Sequence, residues 1–412
     1  MDNSPLLERF LRYVKIDTMS DPHVSTQRPS SEGQLELLKM LKQELAALGI
    51  KELDLDTQGY LIARIPSNAG GKKIPTIGFM AHVDVADDVM GNGVKPRVIE
   101  AYDGQDIVLN HEYTLKVEDY PTLSEYVGTT LVVTDGNTLL GGDNKAGVAI
   151  LVTLAERLMD PSAVVHGAVE LIFTTDEEIG KGLDAFDVTK LRSRCCYTID
   201  GSARGEIEAE CFNAATVNVD FYGIPFHLGA AKGQMVNSVT MAAAFINALP
   251  QVESPEATEG REGYYCAEDI KGSIGHTKLI LHLRDFDLET LKRRIAALES
   301  LSASVEALYV GGRVELKSEI IYLNMYDKIK EDPPVMEAIR QAGEKLGIVL
   351  QEKFIRGGTD GSRLTEMGIP TPNIFTGSHN LHSRYEWLAL TAMTDALLLS
   401  EQVVVYWAKE GA

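Results

Sequence analysis

IFTTDEEIGKG, residues 172–182, sets three consecutive acids, Asp176, Glu177 and Glu178, at the end of an apolar run. The run before them, residues 169–174, is short, apolar and partly β-branched, as expected of a strand covered on both faces. A charge run is usually a solvated face, and this one alone would read so. Adjacent carboxylates leaving a buried strand, however, repel one another unless a cation neutralises them. A metal site removes that repulsion, and one acid can then ligate while its neighbour stays free to take a proton from water. Residues 77–80, 131–134 and 196–199 have the same apolar character, and each is followed closely by an acid or a histidine. Open α/β sheets bind ligands beyond the carboxyl ends of their strands, so four strand ends are expected to converge on one site.

Four motifs supply the company that the acidic triplet needs. In AHVDV, residues 81–85, His82 and Asp84 stand two apart at a strand end, where period-two geometry puts both on one face. A metal-binding histidine needs an acceptor for its other ring nitrogen, and a carboxylate at that spacing can supply it. HxD alone is a weak signal that also fits a packed strand-end histidine. In LLGGDNKAGVAIL, residues 139–151, two glycines precede Asp143 and an apolar helix follows, a pattern that also fits an ordinary helix cap. TIDGSA, residues 198–203, repeats strand-then-acid at Asp200, and HNLHSRYEW, residues 379–387, carries His379 and His382 three apart. Both fit loop residues without a function, and His379 reads as an exposed loop histidine.

Around these motifs the chain alternates helical and extended patterns. Residues 5–16 and 32–48 show helical periodicity, and residues 146–155 read as a buried helix. From residue 213 the character changes: residues 215–222 and 277–283 alternate like half-exposed strands, while 236–249 and 288–298 are helical. Helix and strand patterns resume from residue 333, so the middle module is inserted in the first. The expected fold is α/β: a mixed, mainly parallel sheet flanked by helices, formed by residues 1–208 and 326–412, with an inserted α+β domain over 209–325. Residues 251–262, rich in Pro, Glu and Gly, read as a mobile loop.

Composition agrees with a globular enzyme and narrows its partners. At 412 residues, 44% hydrophobic and 24% charged, the chain exceeds a single core and resembles neither disordered nor fibrous protein. Sixty acidic against 39 basic residues leave a net charge of −21, which repels nucleic acid and anionic membranes. The first ten residues lack the apolar core of a secretory signal, and four cysteines make neither a disulfide framework nor a CxxC pair. A cytoplasmic location is the expectation.

In order and spacing, HVDV, GGDNKAG, TDEEIG, TIDG and RGGTDGSRL followed by NLHS resemble the di-zinc exopeptidases that carry an inserted lid domain. The resemblance spans nearly the whole chain. The longer stretches 82–110, 134–147, 212–215 and 375–388 are most similar to the tripeptide aminopeptidase branch of that family. It implies two zinc ions, or cobalt or manganese in their place, one held by His82, Asp143 and Asp200 and the other by Asp143, Glu178 and His382. Asp84 would orient His82, and Glu177 would be the general base. His227 in GIPFHLGAAKG resembles the histidine that steadies the oxyanion, often across a dimer interface made by the lid. Asn237, Arg284 and Arg356 match positions where relatives hold the peptide. Two departures, Asn144 for a frequent aspartate and Thr175 for a frequent proline, fall outside that ligand set. The implied activity is release of the N-terminal residue of short peptides, tripeptides above all. A carboxypeptidase, dipeptidase or aminoacylase on the same two-metal site is the alternative, and a non-catalytic peptide binder a more distant one.

Overall fold

Three of the four apolar runs lie side by side, and the fourth does not. In the computed structural model, which describes residues 4–24 and 26–410, an eight-stranded sheet has the order Glu52–Leu55, Leu61–Ile65, Val169–Thr174, Ile77–His82, Cys196–Gly201, Asn373–Phe375, Glu206–Cys211 and Gln351–Ile355. Its four central strands run parallel, whereas Leu61–Ile65 and Glu206–Cys211 pair antiparallel on either side of them. Val169–Thr174 and Ile77–His82 are buried at every residue. That is the consequence of helices on the faces of a parallel sheet. Because His82 pairs with Thr174 in register, the residues that follow these two strands leave the sheet at the same level.

The helix Gly142–Met159 packs against Ile77–His82 and Cys196–Gly201, and against the helices Ser4–Tyr13 and Leu390–Glu410. Its Gly147 sits so close to the sheet that an added Cβ would come within 2.1 Å of the Ile199 carbonyl oxygen and 2.4 Å of Asn144 Oδ1. This contact sets the height of the helix start over the strand that carries Asp200. Among the described residues, no helix is long and apolar enough to cross a membrane.

Leu131–Val133, expected in the main sheet, belongs instead to an antiparallel sheet ordered Ser378–His379, Trp387–Ala389, Leu131–Val133, Arg97–Ile99. A three-residue apolar run carries no register of its own, and here the large rings decide. Tyr102, Tyr126 and Trp387 bury against Leu131 and Val133 in one cluster. His379 is part of this layer and is buried, not exposed. Its ring stacks on Trp387 at 4.0 Å and 8°, with Nε2 3.3 Å from the Tyr126 hydroxyl. Burial lowers its pKa to about 4.

The remaining residues form a second compact unit, Glu210–Asn324 with Phe354–Gly358. Its four-stranded antiparallel sheet has the order Tyr264–Gly272, His276–Asp285, Asn213–Tyr222, Arg313–Tyr322. Along Asn213–Tyr222 the alternate residues Ala215, Val217, Val219 and Phe221 are buried and pack in one core with Met241 and Phe245 of the helix Ser238–Asn247 and Leu291 of Leu288–Leu308. Phe354–Gly358, expected with the returning segment, joins this unit because its side chains find partners there. The Phe354 ring meets Phe286 at 5.1 Å, and the Arg356 guanidinium lies 5.1 Å from the centroid of Phe212.

Two stability measurements test this packing. Helix propensity favours Gly147→Ala by roughly 0.5–1 kcal/mol, but crowding against the sheet costs about 1–3 kcal/mol, so chemical denaturation should find the variant less stable. A raised melting temperature would contradict the close approach. For His379 the fold keeps the neutral ring, so its contribution is complete above the unfolded pKa of about 6.5 and is lost as pH falls toward 4. Metal-stripped wild type should therefore lose roughly 2–3 kcal/mol more than His379→Phe between pH 7 and 4.5; equal slopes would refute the assignment.

Candidate metal centre

Asp84, fully buried just past the strand Ile77–His82, organises the centre. Its Oδ1 lies 3.3 Å from His82 Nδ1 and accepts the Glu177 N–H at 3.1 Å, while Oδ2 accepts the Glu178 N–H at 3.1 Å. One carboxylate thus faces an imidazole and fixes the backbone that carries two glutamates. The third acid of the triplet is turned elsewhere. Asp176 has a left-handed φ of 60°, and its carboxylate accepts from the Ser30 N–H, the Ser30 hydroxyl and Gln34 Nε2. The bend separates three neighbours in sequence into three environments.

Two groups of possible ligands share Asp143. His82 Nε2 lies 3.0 Å from Asp143 Oδ1 and 3.2 Å from Asp200 Oδ1. His382 Nε2 lies 3.0 Å from Glu178 Oε2 and 3.5 Å from Asp143 Oδ2. Within each group the donor atoms fall within 4.8 Å of one another, the spacing at which a metal ion could be held. Glu177 belongs to neither group. Asp143 opens the Gly142–Met159 helix with non-helical backbone, φ −85° and ψ 107°, so it is no ordinary cap. The residues present fit cations: Glu178 Oε1 and Asp200 Oδ1 are buried acceptors without a hydrogen bond, an arrangement that costs free energy until a positive partner arrives.

Ionisation follows the same logic. Burial acts to lower the His82 pKa, yet Asp200, Asp143 and Asp84 outweigh it and hold the ring well above its ordinary value. Hydrogen bonds to Asp143 and Glu178 push His382 up to about 11. Burial, reinforced by the charge of Asp143, raises Glu178 to about 7, and burial raises Asp200 and Glu177 as well. Asp143 is held low against its burial by the two imidazoles. The cavity draws positive charge, as protons or as metal ions.

Three acids that sequence reasoning missed stand around these groups. Asp88 Oδ2 lies 3.1 Å from His382 Nδ1, mirroring Asp84 on His82. Buried Asp360 accepts from the Thr174 hydroxyl at 2.5 Å, beneath Gly182, where an added Cβ would meet its Oδ1 at 1.9 Å. Glu386 accepts backbone N–H groups of the turn that leads into Asp143. Asp360 lies in the quoted RGGTDGSRL, and Glu386 four residues past His382, so proximity to motifs was the available signal.

His227, Asn237, Arg284 and Arg356 lie in the second unit. His227 is exposed, and its Nδ1 accepts the Gly229 N–H at 3.2 Å. Asn237 caps the helix Ser238–Asn247 by accepting from Val239. Arg284 donates to the Leu283 carbonyl at 2.9 Å with its guanidinium 5.6 Å from the Tyr322 ring centroid. Arg356 donates to the carbonyls of Gly260 and Glu262 at 2.8 and 3.0 Å and to the Thr258 hydroxyl at 2.9 Å. It pins the stretch that composition marked as a mobile loop.

Residues 133–405 match the model of peptidase family M20/M25/M40. Peptidase T of Geobacillus thermodenitrificans is 43% identical over 401 residues, covering 97% of either chain. Among solved structures, the aminopeptidase PepT of Bacillus cereus superposes with a TM-score of 0.78 at 23% identity, and a tripeptidase of Staphylococcus aureus with 0.78 at 20%, each over 99% of both chains. These two establish a common fold, and the identity to peptidase T over nearly the full length establishes kinship. The acid-rich groups around Asp143 therefore sit in a hydrolase, and this chain belongs to peptidase family M20/M25/M40 as a metal-dependent peptidase.

Proposed function

We propose that this chain removes the N-terminal residue of tripeptides, using two divalent ions held by His82, Asp143 and Asp200 and by Asp143, Glu178 and His382. The observation that carries the reading is Asp143, whose two oxygens face different histidines. Imidazole with carboxylate donors suits zinc, and also cobalt or manganese. Bound there, such ions supply Lewis acidity toward the peptide carbonyl and toward the attacking water.

Glu177 is the base. Burial and the neighbouring acids Asp200, Asp360 and Glu178 raise its proton affinity, and its backbone is fixed by Asp84. It takes the proton from the attacking water and returns it to the leaving amine, the exchange that a positioned carboxylate performs in general acid–base catalysis. His227 donates to the developing oxyanion, a role commonly worth ~2.7–4 kcal/mol. Asn237, Arg284 and Arg356 hold the peptide, and Arg356 also anchors residues 258–262. The second unit acts as a lid and as the dimer contact. The names aminopeptidase and tripeptidase carried by structures of the same fold support the choice of substrate end and length. Four cysteines that make no disulfide framework in the sequence support a reducing, cytoplasmic setting.

Glu177→Ala should retain both metal equivalents by elemental analysis while kcat falls by about 10²–10⁴-fold; undiminished turnover would remove Glu177 as base. A chelator should abolish hydrolysis, and zinc should restore it. A free tripeptide should be cleaved and its N-acetylated form spared. Release of the C-terminal residue from the blocked peptide would convert the reading to a carboxypeptidase.

A further inference from the structure

The turn that delivers Asp143 is held from behind by one side chain. Glu386 is buried, and its Oε2 accepts the N–H groups of Leu140 at 2.6 Å and Gly141 at 2.8 Å, while Oε1 accepts that of Asp143 itself at 3.1 Å. The turn is shaped to admit it. A Cβ on Gly142 would come within 3.0 Å of Glu386 Oε1 and 2.7 Å of Ser378 Oγ, so a side chain there would crowd the carboxylate and its neighbour. Gly141, at φ 81°, turns its own N–H toward the same oxygen as Leu140. The segment that carries Glu386 also carries His382, whose Nε2 faces Asp143 Oδ2. Asp143 is therefore gripped twice by one stretch of chain, at its backbone by Glu386 and at its carboxylate by His382. Pairing of Trp387–Ala389 with Leu131–Val133 anchors that stretch beside the turn.

We propose that Glu386 is a positioning residue for both metal groups, fixing the backbone of Asp143 so that each of its oxygens faces a different histidine. The inference rests on the reading of Asp143 as the shared ligand. Glutamine in place of Glu386 keeps the length but offers one acceptor oxygen and turns an amide against N–H groups. Aspartate keeps the charge but is too short to reach all three donors. A purely structural carboxylate offers the comparison. Buried Glu170 likewise accepts the N–H groups of Arg192 and Ser193 and the Ser193 hydroxyl, at the opposite end of its strand from the centre.

The test is zinc affinity of the metal-stripped full chain, read for each equivalent by competition with a chromophoric chelator, beside the melting temperature of the same samples. Glu386→Gln should weaken both equivalents together by about 10- to 100-fold. Glu170→Gln should lower the melting temperature and leave both affinities unchanged. If Glu386→Gln does not fold, Glu386→Asp takes its place and should weaken both equivalents in the same direction. Wild-type affinity in the folded Glu386 variant, or loss at one equivalent alone, overturns the positioning role. Asp143→Ala run in parallel separates the two levels. If it loses both equivalents while the Glu386 variants keep theirs, only the positioning role falls; if it retains both, the shared-ligand reading falls with it.

Discussion

The centre depends on a carboxylate that is itself outside both ligand groups. Asp84 is wholly buried, a costly position for a charge unless polar groups surround it, and around it stand the His82 ring, with Nδ1 at 3.3 Å, and the backbone N–H donors of Glu177 and Glu178. Those donors come from two strands that are neighbours only through parallel pairing, with His82 opposite Thr174. Satisfying one buried charge therefore ties the two strand ends together. It also sets a carboxylate against the His82 ring and fixes the backbone of two glutamates.

With that link in place, the acids divide their work by environment. Asp176, Glu177 and Glu178 are consecutive, yet one is locked by Ser30 and Gln34, one stands outside both groups, and one faces His382. The left-handed backbone at Asp176 is the device that separates them, a conformation that Asp tolerates better than most side chains. Like charges gathered in low dielectric push carboxyl pKa values up and imidazole pKa values in the same direction, so the cavity retains positive charge in whatever form is available. Each histidine facing the shared Asp143 has a carboxylate at its other nitrogen, Asp84 for His82 and Asp88 for His382. That arrangement favours a ring whose remaining nitrogen can ligate.

What the chain alone determined was the set of residue types and their place at the ends of apolar runs. The alternation of helix and strand, the inserted module with its period-two strands, and the series His82, Asp143, Glu178, Asp200 and His382 are all legible there, because burial writes periodicity into sequence and motifs are local. Tertiary structure decided what no local pattern contains. Leu131–Val133 left the main sheet for partners far along the chain, and His379 became a buried ring stacked on Trp387, since pairing and stacking depend on which segments meet. Arg356 spent its donors on carbonyls of residues 258–262, a use invisible from its motif. Glu386 looked like any acid near the C-terminal motif until folding brought its carboxylate under the N–H of Asp143. Backbone donors carry no sequence signature, so the carboxylates that accept from them emerge only when the chain is folded.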